Sequence, residues 1–324
     1  MISVKQLTKI FKTYVRSNNI ITDVFHRQYK EKKALEKISF NINKNELVGF
    51  IGPNGAGKTT TMKILSGILF PTSGEIKVLG FTPFDKKYQF LRQIAFVMGQ
   101  KNQLIWELPA MDSFELQKEI YEIDGDVFKK NIAELIEILD CERFINQPVK
   151  TLSLGQRMRL ELINSLLHQP KILFLDEPTI GLDIFAQTTI INFIKEYQRK
   201  HRSTIILTSH YMQDVQRLAK RVILINYGQI IFDGQLNDLI VKYSQKKTII
   251  ITLAKPLTDN FTLPDGIEAD YNFPQLKLTT NKEDIASTLA YLLKKIEFTD
   301  VTIEDEPIEE VIKKTFSSST SSTP

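Results

Sequence analysis

The chain has 324 residues, 42% hydrophobic and 25% charged, which fits a folded globular protein and excludes a disordered one. Lys and Arg number 42 against 38 Asp and Glu, and the resulting net charge of +4 is too small to argue for a nucleic-acid partner. The single cysteine, Cys141, excludes an internal disulfide, fits a reducing compartment, and reads as an inert thiol at the end of a helical pattern.

In chain order, residues 2–11 alternate loosely and read as a first strand. Residues 12–33 are polar and basic, with Lys12, Arg16, Arg27, Lys30, Lys32 and Lys33 among Tyr14, Phe25 and Tyr29. A solvated loop or short surface helix is expected there; the alternative is a basic face toward lipid headgroups or a partner. Residues 34–43 and 45–51 read as strands, and a helix starting at Lys58 ends near Gly67. A turn at 71–74 (PTSG) precedes strands over 75–79 and 94–98, the second stopping at Gly99-Gln100. From 101 to about 168 the pattern is helical, with Phe128, Ile132, Leu135, Ile136 and Leu139 forming one apolar stripe. Residues 171–176 are a buried strand ending in a carboxylate, 186–200 a helix, and 204–208 a strand. A hairpin follows over 222–226 and 229–232. Strands alternating with helices indicate a mostly parallel sheet.

After about 242 the chain restarts. Strands over 247–253, 276–280 and 301–303, with helices over 284–296 and 307–316, make a small α+β domain, and the Ser/Thr-rich residues 317–324 are expected to be disordered. No run approaches the ~18 consecutive apolar residues of a membrane span. Residues 1–7 lack a signal-peptide core, so a cytoplasmic location is expected.

The stretch Gly52-Pro53-Asn54-Gly55-Ala56-Gly57-Lys58-Thr59 reads G-x-x-x-x-G-K-[ST] and lies between a strand and a helix opening at Thr60. Glycines let successive N–H groups curl around a phosphate, and the helix N-terminus adds its positive dipole end. Lys58 reaches the β- and γ-phosphates, and the Thr59 hydroxyl can ligate Mg²⁺. The strand Ile172-Leu173-Phe174-Leu175 ends in Asp176 and Glu177. Asp176 is placed to hold Mg²⁺, and Glu177 to polarise an attacking water as general base. Leu152-Ser153-Leu154-Gly155-Gln156 opens another helix, a second phosphate-binding surface or simply a helix cap.

Taken together these segments resemble an ATP-binding cassette (ABC) ATPase over about residues 2–240. Gly52 to Thr59, Gln100, Leu152 to Gln156, Leu175-Asp176-Glu177-Pro178, Gly181-Leu182-Asp183 and His210 look like its Walker A, Q-loop, signature, Walker B, D-loop and H-loop. The resemblance implies an α/β P-loop NTPase of ABC type over 1–242, with a mostly parallel core sheet, an antiparallel β part and a helical subdomain at about 101–168. An accessory domain over 243–316 and the tail would follow.

It implies two copies, or a paired ATPase subunit, closing head to tail on two ATP molecules. Gly52, Pro53, Asn54, Gly55, Ala56, Gly57, Lys58, Thr59 and Thr60 of one copy would face Ser153, Gly155 and Gln156 of the other. Gln100 would touch Mg²⁺ and the lytic water, His210 the γ-phosphate, and Asp183 would cross the interface. Phe11 is expected to stack on adenine, with Tyr14 and Tyr29 as rivals. The family's usual signature has Gly where this chain has Leu154, whose backbone N–H still serves phosphate. The absence of a span implies a separate polytopic permease, which would receive the surface around Trp106 and Pro109 and hold the subunit at the inner face of the cell membrane. The N-terminal insert and the α+β tail most resemble ABC-2-type exporters. An importer ATPase, or a soluble ABC protein on ribosomes or DNA, are the alternatives; no nucleic acid is expected.

Overall fold

The computed structural model describes residues 1–15, 28–99, 101–209, 211–244, 246–257, 262–263 and 267–320. They form two compact units, Met1–Gln235 and Leu236–Pro324.

The first unit is built on a six-stranded sheet. Its strands are β3 (Leu47–Ile51), β5 (Ile94–Met98), β6 (Ile172–Asp176), β7 (Thr204–Thr208), β8 (Arg221–Asn226) and β9 (Gln229–Gln235). The order is β5-β6-β7-β3-β8-β9, parallel except for the antiparallel β8–β9 pair. Every residue of β6 is buried because both sheet faces are covered. Leu173 and Leu175 enter the core shared with helices α3 (Ala110–Ile120), α4 (Gly125–Ile138), α5 (Leu154–Leu166) and α6 (Ile184–His201). Ile172 and Phe174 enter the other core, shared with α1 (Lys58–Leu65) and a three-stranded antiparallel sheet. The short helices α2 (Tyr88–Leu91) and α7 (Met212–Leu218) complete the unit.

The three-stranded sheet has the order β2-β1-β4, from β1 (Ile2–Val15), β2 (Gln28–Ile42) and β4 (Ser73–Val78). Here the loop or surface helix expected over 12–33 is corrected. β1 and β2 pair from Ile2↔Ile42 out to Val15↔Gln28, so a two-stranded ribbon occupies both flanks of that stretch. The signal was hidden because residues 11–13 and 29–33 are exposed on both ribbon faces, leaving no apolar alternation to read. Cross-strand pairing holds it instead, including Lys12 with Glu31 at 3.1 Å.

The second unit is a four-stranded antiparallel sheet, β11-β12-β10-β13. Its strands are β10 (Lys246–Leu253), β11 (Glu268–Asn272), β12 (Gln275–Asn281) and β13 (Phe298–Asp305). Helix α9 (Ile285–Lys295) buries Leu292 with Ile249, Ile251, Leu253, Leu276 and Leu278. Strand β11 was missed because all five of its residues are exposed. Two boundaries also move. Helix α8 (Leu236–Tyr243) packs against α10 (Ile308–Thr320) with Leu236 and Leu239 buried, so the units divide before 236 rather than at 242. And α10 continues through Thr320 instead of ending in disorder at 317, because Val311, Ile312 and Thr315 anchor the turns before it. Residues 321–324 lie outside the described residues. No helix among the described residues is long and apolar enough to cross a membrane.

Candidate active site

Strand β3 delivers the chain into the glycine loop, and α1 leaves it with Gly57 as N-cap. Gly57 has φ 114°, and a Cβ there would meet the Ala34 carbonyl oxygen at 2.8 Å. Only glycine fits that left-handed, crowded position. No side chain caps α1, so its first N–H groups are left for a ligand.

Lys58 is 5% exposed, and its ammonium donates to the carbonyls of Gly52 at 2.6 Å and Pro53 at 3.1 Å. Burial pushes its pKa below the ordinary lysine value, while the carboxylates of Glu177 and Asp176 push it back up. The lysine is thus a desolvated cation held on the carbonyls of its own loop, within the field of two acids.

Those acids come from the end of β6. Asp176 is 8% exposed, and the Thr208 hydroxyl donates to its Oδ1 at 2.7 Å. Glu177 leaves the strand with φ 56°, a left-handed turn secured by its N–H donating to the Thr208 carbonyl at 3.1 Å. The neighbouring strand approaches closely: a Cβ on Gly99 would lie 2.2 Å from the Glu177 carbonyl oxygen. The Gly99 N–H donates to the Asp176 carbonyl at 3.0 Å.

A cavity of about 450 Å³ results, lined by the expected Asn54, Gly55, Thr59, Asp176 and Glu177. Gly52, Ala56, Gly57 and Lys58 adjoin these lining residues in sequence and are buried, Pro53 is exposed, and Thr60 is half-buried on α1. Two lysines that the motifs did not single out, Lys63 and Lys101, line it as well.

Other expected residues stand apart from this cavity. Ser153 N-caps α5 in a capping box: its Oγ accepts the Gln156 N–H at 3.2 Å, and the Gln156 side chain accepts the Ser153 N–H at 2.9 Å. Asp183 N-caps α6, accepting N–H groups of Phe185 and Ala186 at 3.0 and 2.9 Å. Gly155 packs so near α6 that a Cβ would lie 2.8 Å from that of Ala186. None of Ser153, Gly155, Gln156 and Asp183 lines the P-loop cavity of its own chain. Phe11, 38% exposed on β1, carries the Lys9 ammonium 5.0 Å from its ring centre and is also outside that lining. Tyr29 is exposed, and the side chain of Tyr14 lies outside the described residues, as do Gln100 and His210.

Three supports escaped the motif reading. Thr208 orients Asp176; Thr179, just past the acids, donates to the buried Asp214 of α7 at 2.7 Å; and Glu161 of α5 accepts N–H groups of Gln103 and Leu104. Burial raises the carboxyl pKa of both Asp214 and Glu161. A carboxylate four residues past an expected catalytic histidine, and one amid the apolar residues of the signature helix, are the sequence traces of the last two.

Comparison with known proteins decides the lineage. A profile described as ABC transporter matches residues 35–180. The ABC transporter ATP-binding protein NatA of Bacillus subtilis is 32% identical over 215 residues, covering 66% of this chain and 87% of the relative. The chain belongs to the ABC transporter ATPases. The bacitracin transport ATP-binding protein BcrA of Bacillus licheniformis is 32% identical over 66% of this ABC ATPase and 69% of its own length. The daunorubicin resistance ATP-binding protein DrrA3 of Streptomyces coeruleorubidus is 31% identical over 68% and 69%. Among solved structures, the dimeric post-hydrolysis cassette MJ0796, bound to ADP and phosphate, superposes with a TM-score of 0.61 at 26% identity, over 73% of this chain and 99% of that one. The ABC ATPase binds ATP and hydrolyses it.

Proposed function

We propose that this ATPase powers export by a separate polytopic permease, closing as a pair around two Mg²⁺–ATP. The observation that carries the pairing is the split site: the P-loop and acids share one cavity, while the signature Ser153–Gln156 and Asp183 do not line it. A second copy, or a paired ATPase, placed head to tail brings the α5 N-terminus and its N–H groups over the phosphates. The dimeric relative with ADP and phosphate supports this arrangement, and the names of BcrA and DrrA3 support export of a compound from the cell.

The donor set fits Mg²⁺. Thr59 and Asp176 line one cavity, and no group of three His, Cys, Asp or Glu is gathered among the described residues. One hydroxyl and one carboxylate suit an ion that keeps water and phosphate as its remaining ligands. When bound, the ion supplies charge neutralisation for the phosphates. Thr208 orients the Asp176 carboxylate, Lys58 draws on the terminal phosphates, and Glu177 takes a proton from the attacking water. Gln100 and His210 complete the site in this reading, and Phe11 carries the adenine.

Glu177→Gln should bind ATP, hold the pair closed and stop turnover, read by sedimentation with ATP and by phosphate release. Normal turnover, or a monomer with ATP bound, overturns the assignment. Purification from detergent-solubilised membranes should yield a stoichiometric polytopic partner, and transport in vesicles carrying that partner decides efflux against uptake.

A further inference from the structure

Two lysines line the nucleotide cavity without a place in the motif set, and they are not equivalent. Lys63 follows Lys58 by five residues on α1, so its Cα lies about 7–8 Å further along the helix, away from the phosphate cradle. Lys101 belongs to the other wall. It is two residues past Gly99, which is bonded to the Asp176 backbone, and its own N–H donates to the Met98 carbonyl at 3.1 Å. The turn therefore begins at the carboxylate end of the cavity, where Asp176 and Glu177 stand.

Formal charge shows what is wanted there. A Mg²⁺-bound triphosphate carries about two net negative charges, and Asp176 and Glu177 add two more. Lys58 brings one positive charge, and Lys63 brings another further along α1. The signature segment Ser153-Leu154-Gly155-Gln156 that a second copy would contribute contains no cation. Of the two further lysines among the described residues that line the cavity, Lys101 is the one whose turn begins at the acid end. The larger cavity of about 910 Å³, lined by residues just before β3, β6 and β7, also gathers cations, including Lys171 and Arg202. Arg202 closes the carboxyl end of α6, which stabilises a cation by itself, so those charges do not require a ligand.

We infer that Lys101 contacts the terminal phosphate of ATP and makes the site distinguish ATP from ADP. This rests on the ATP site described above. The β-phosphate remains with the P-loop and Lys58 after hydrolysis, whereas the group that Lys101 faces leaves.

The test is equilibrium binding of Mg²⁺–AMP-PNP and Mg²⁺–ADP to the full chain, by calorimetry, for wild type, Lys101→Met and Lys101→Arg. Lys101→Met should weaken AMP-PNP about tenfold or more, the worth of a charge-assisted hydrogen bond, and leave ADP within about twofold. Lys101→Arg should restore most of the difference. Equal losses for both nucleotides, or unchanged AMP-PNP affinity, overturn the inference. Lys101 is exposed, so an unchanged melting temperature is expected and checks that the fold is intact. Failure of the wild type to bind either nucleotide would instead overturn the ATP site itself.

Discussion

Glu161 ties the signature helix to the segment that follows Gln100, and its removal should loosen that segment measurably. It is 2% exposed on α5. Its Oε1 accepts the Gln103 N–H at 2.9 Å and the Leu104 N–H at 3.3 Å, and its Oε2 lies 3.1 Å from the same Gln103 nitrogen. Glu161→Ala leaves two N–H donors without an acceptor, at about 1–3 kcal/mol each, or about 2–6 kcal/mol in total. Relief of a buried charge offsets part of this, so a net loss of about 2–4 kcal/mol is expected.

In Glu161→Gln one oxygen still serves both donors, and the cost should be about 1 kcal/mol or less. Burial holds the Glu161 carboxyl above its ordinary value. The folded chain therefore keeps that proton where the unfolded chain loses it, and wild-type stability falls relative to Glu161→Gln as pH rises through the raised window. The reporter is already in place: Trp106 is the single tryptophan, on the tied segment, with the Arg157 guanidinium 5.1 Å from its ring centre. Urea unfolding followed by its fluorescence, with acrylamide quenching in the native state, reads both effects. Unchanged quenching and midpoint in Glu161→Ala would refute the tie.

Three further outcomes are expected. Thr208→Val keeps the side-chain shape but removes the hydroxyl donated to Asp176, so ATPase activity should drop about tenfold or more with a larger Mg²⁺ requirement and little change in far-UV spectrum; wild-type Mg²⁺ dependence would count against it. Gly57→Ala forces a Cβ toward the Ala34 oxygen at a positive φ and should abolish nucleotide binding with a loss of stability of about 2 kcal/mol or more, read by thermal melting. Cys141 is buried and its thiol is pushed up to about 12, so it should resist iodoacetamide at pH 8 until the chain unfolds. The unfolded thiol ionises first as pH rises, so stability should fall above that unfolded value, and a Cys141→Ser variant should lose this component.

Much of the site was legible because its chemistry is contiguous. Gly52 to Thr59 and Asp176-Glu177 each need neighbouring backbone groups at fixed spacing, and Asn54, Gly55 and Thr59 of the first line one cavity with both acids of the second. The residues that hold them are not contiguous. Thr208 is 32 residues from Asp176, Asp214 is 35 from Thr179, and Glu161 is 58 from Gln103. Each is an ordinary polar residue until the sheet and helices bring its partner within reach.

The sequence by itself determined the alternation of buried strands and helices, the P-loop and the acidic strand end, since these follow from apolar periodicity and from local backbone chemistry. Tertiary structure alone decided the ribbon of β1 and β2, where residues 11–13 and 29–33, exposed on both faces, show no period. It also decided that α8 joins the second unit through α10, and that the signature and Asp183 stand outside the cavity of their own chain. Burial, partner and distance belong to pairs of residues far apart in the chain, and only folding makes those pairs.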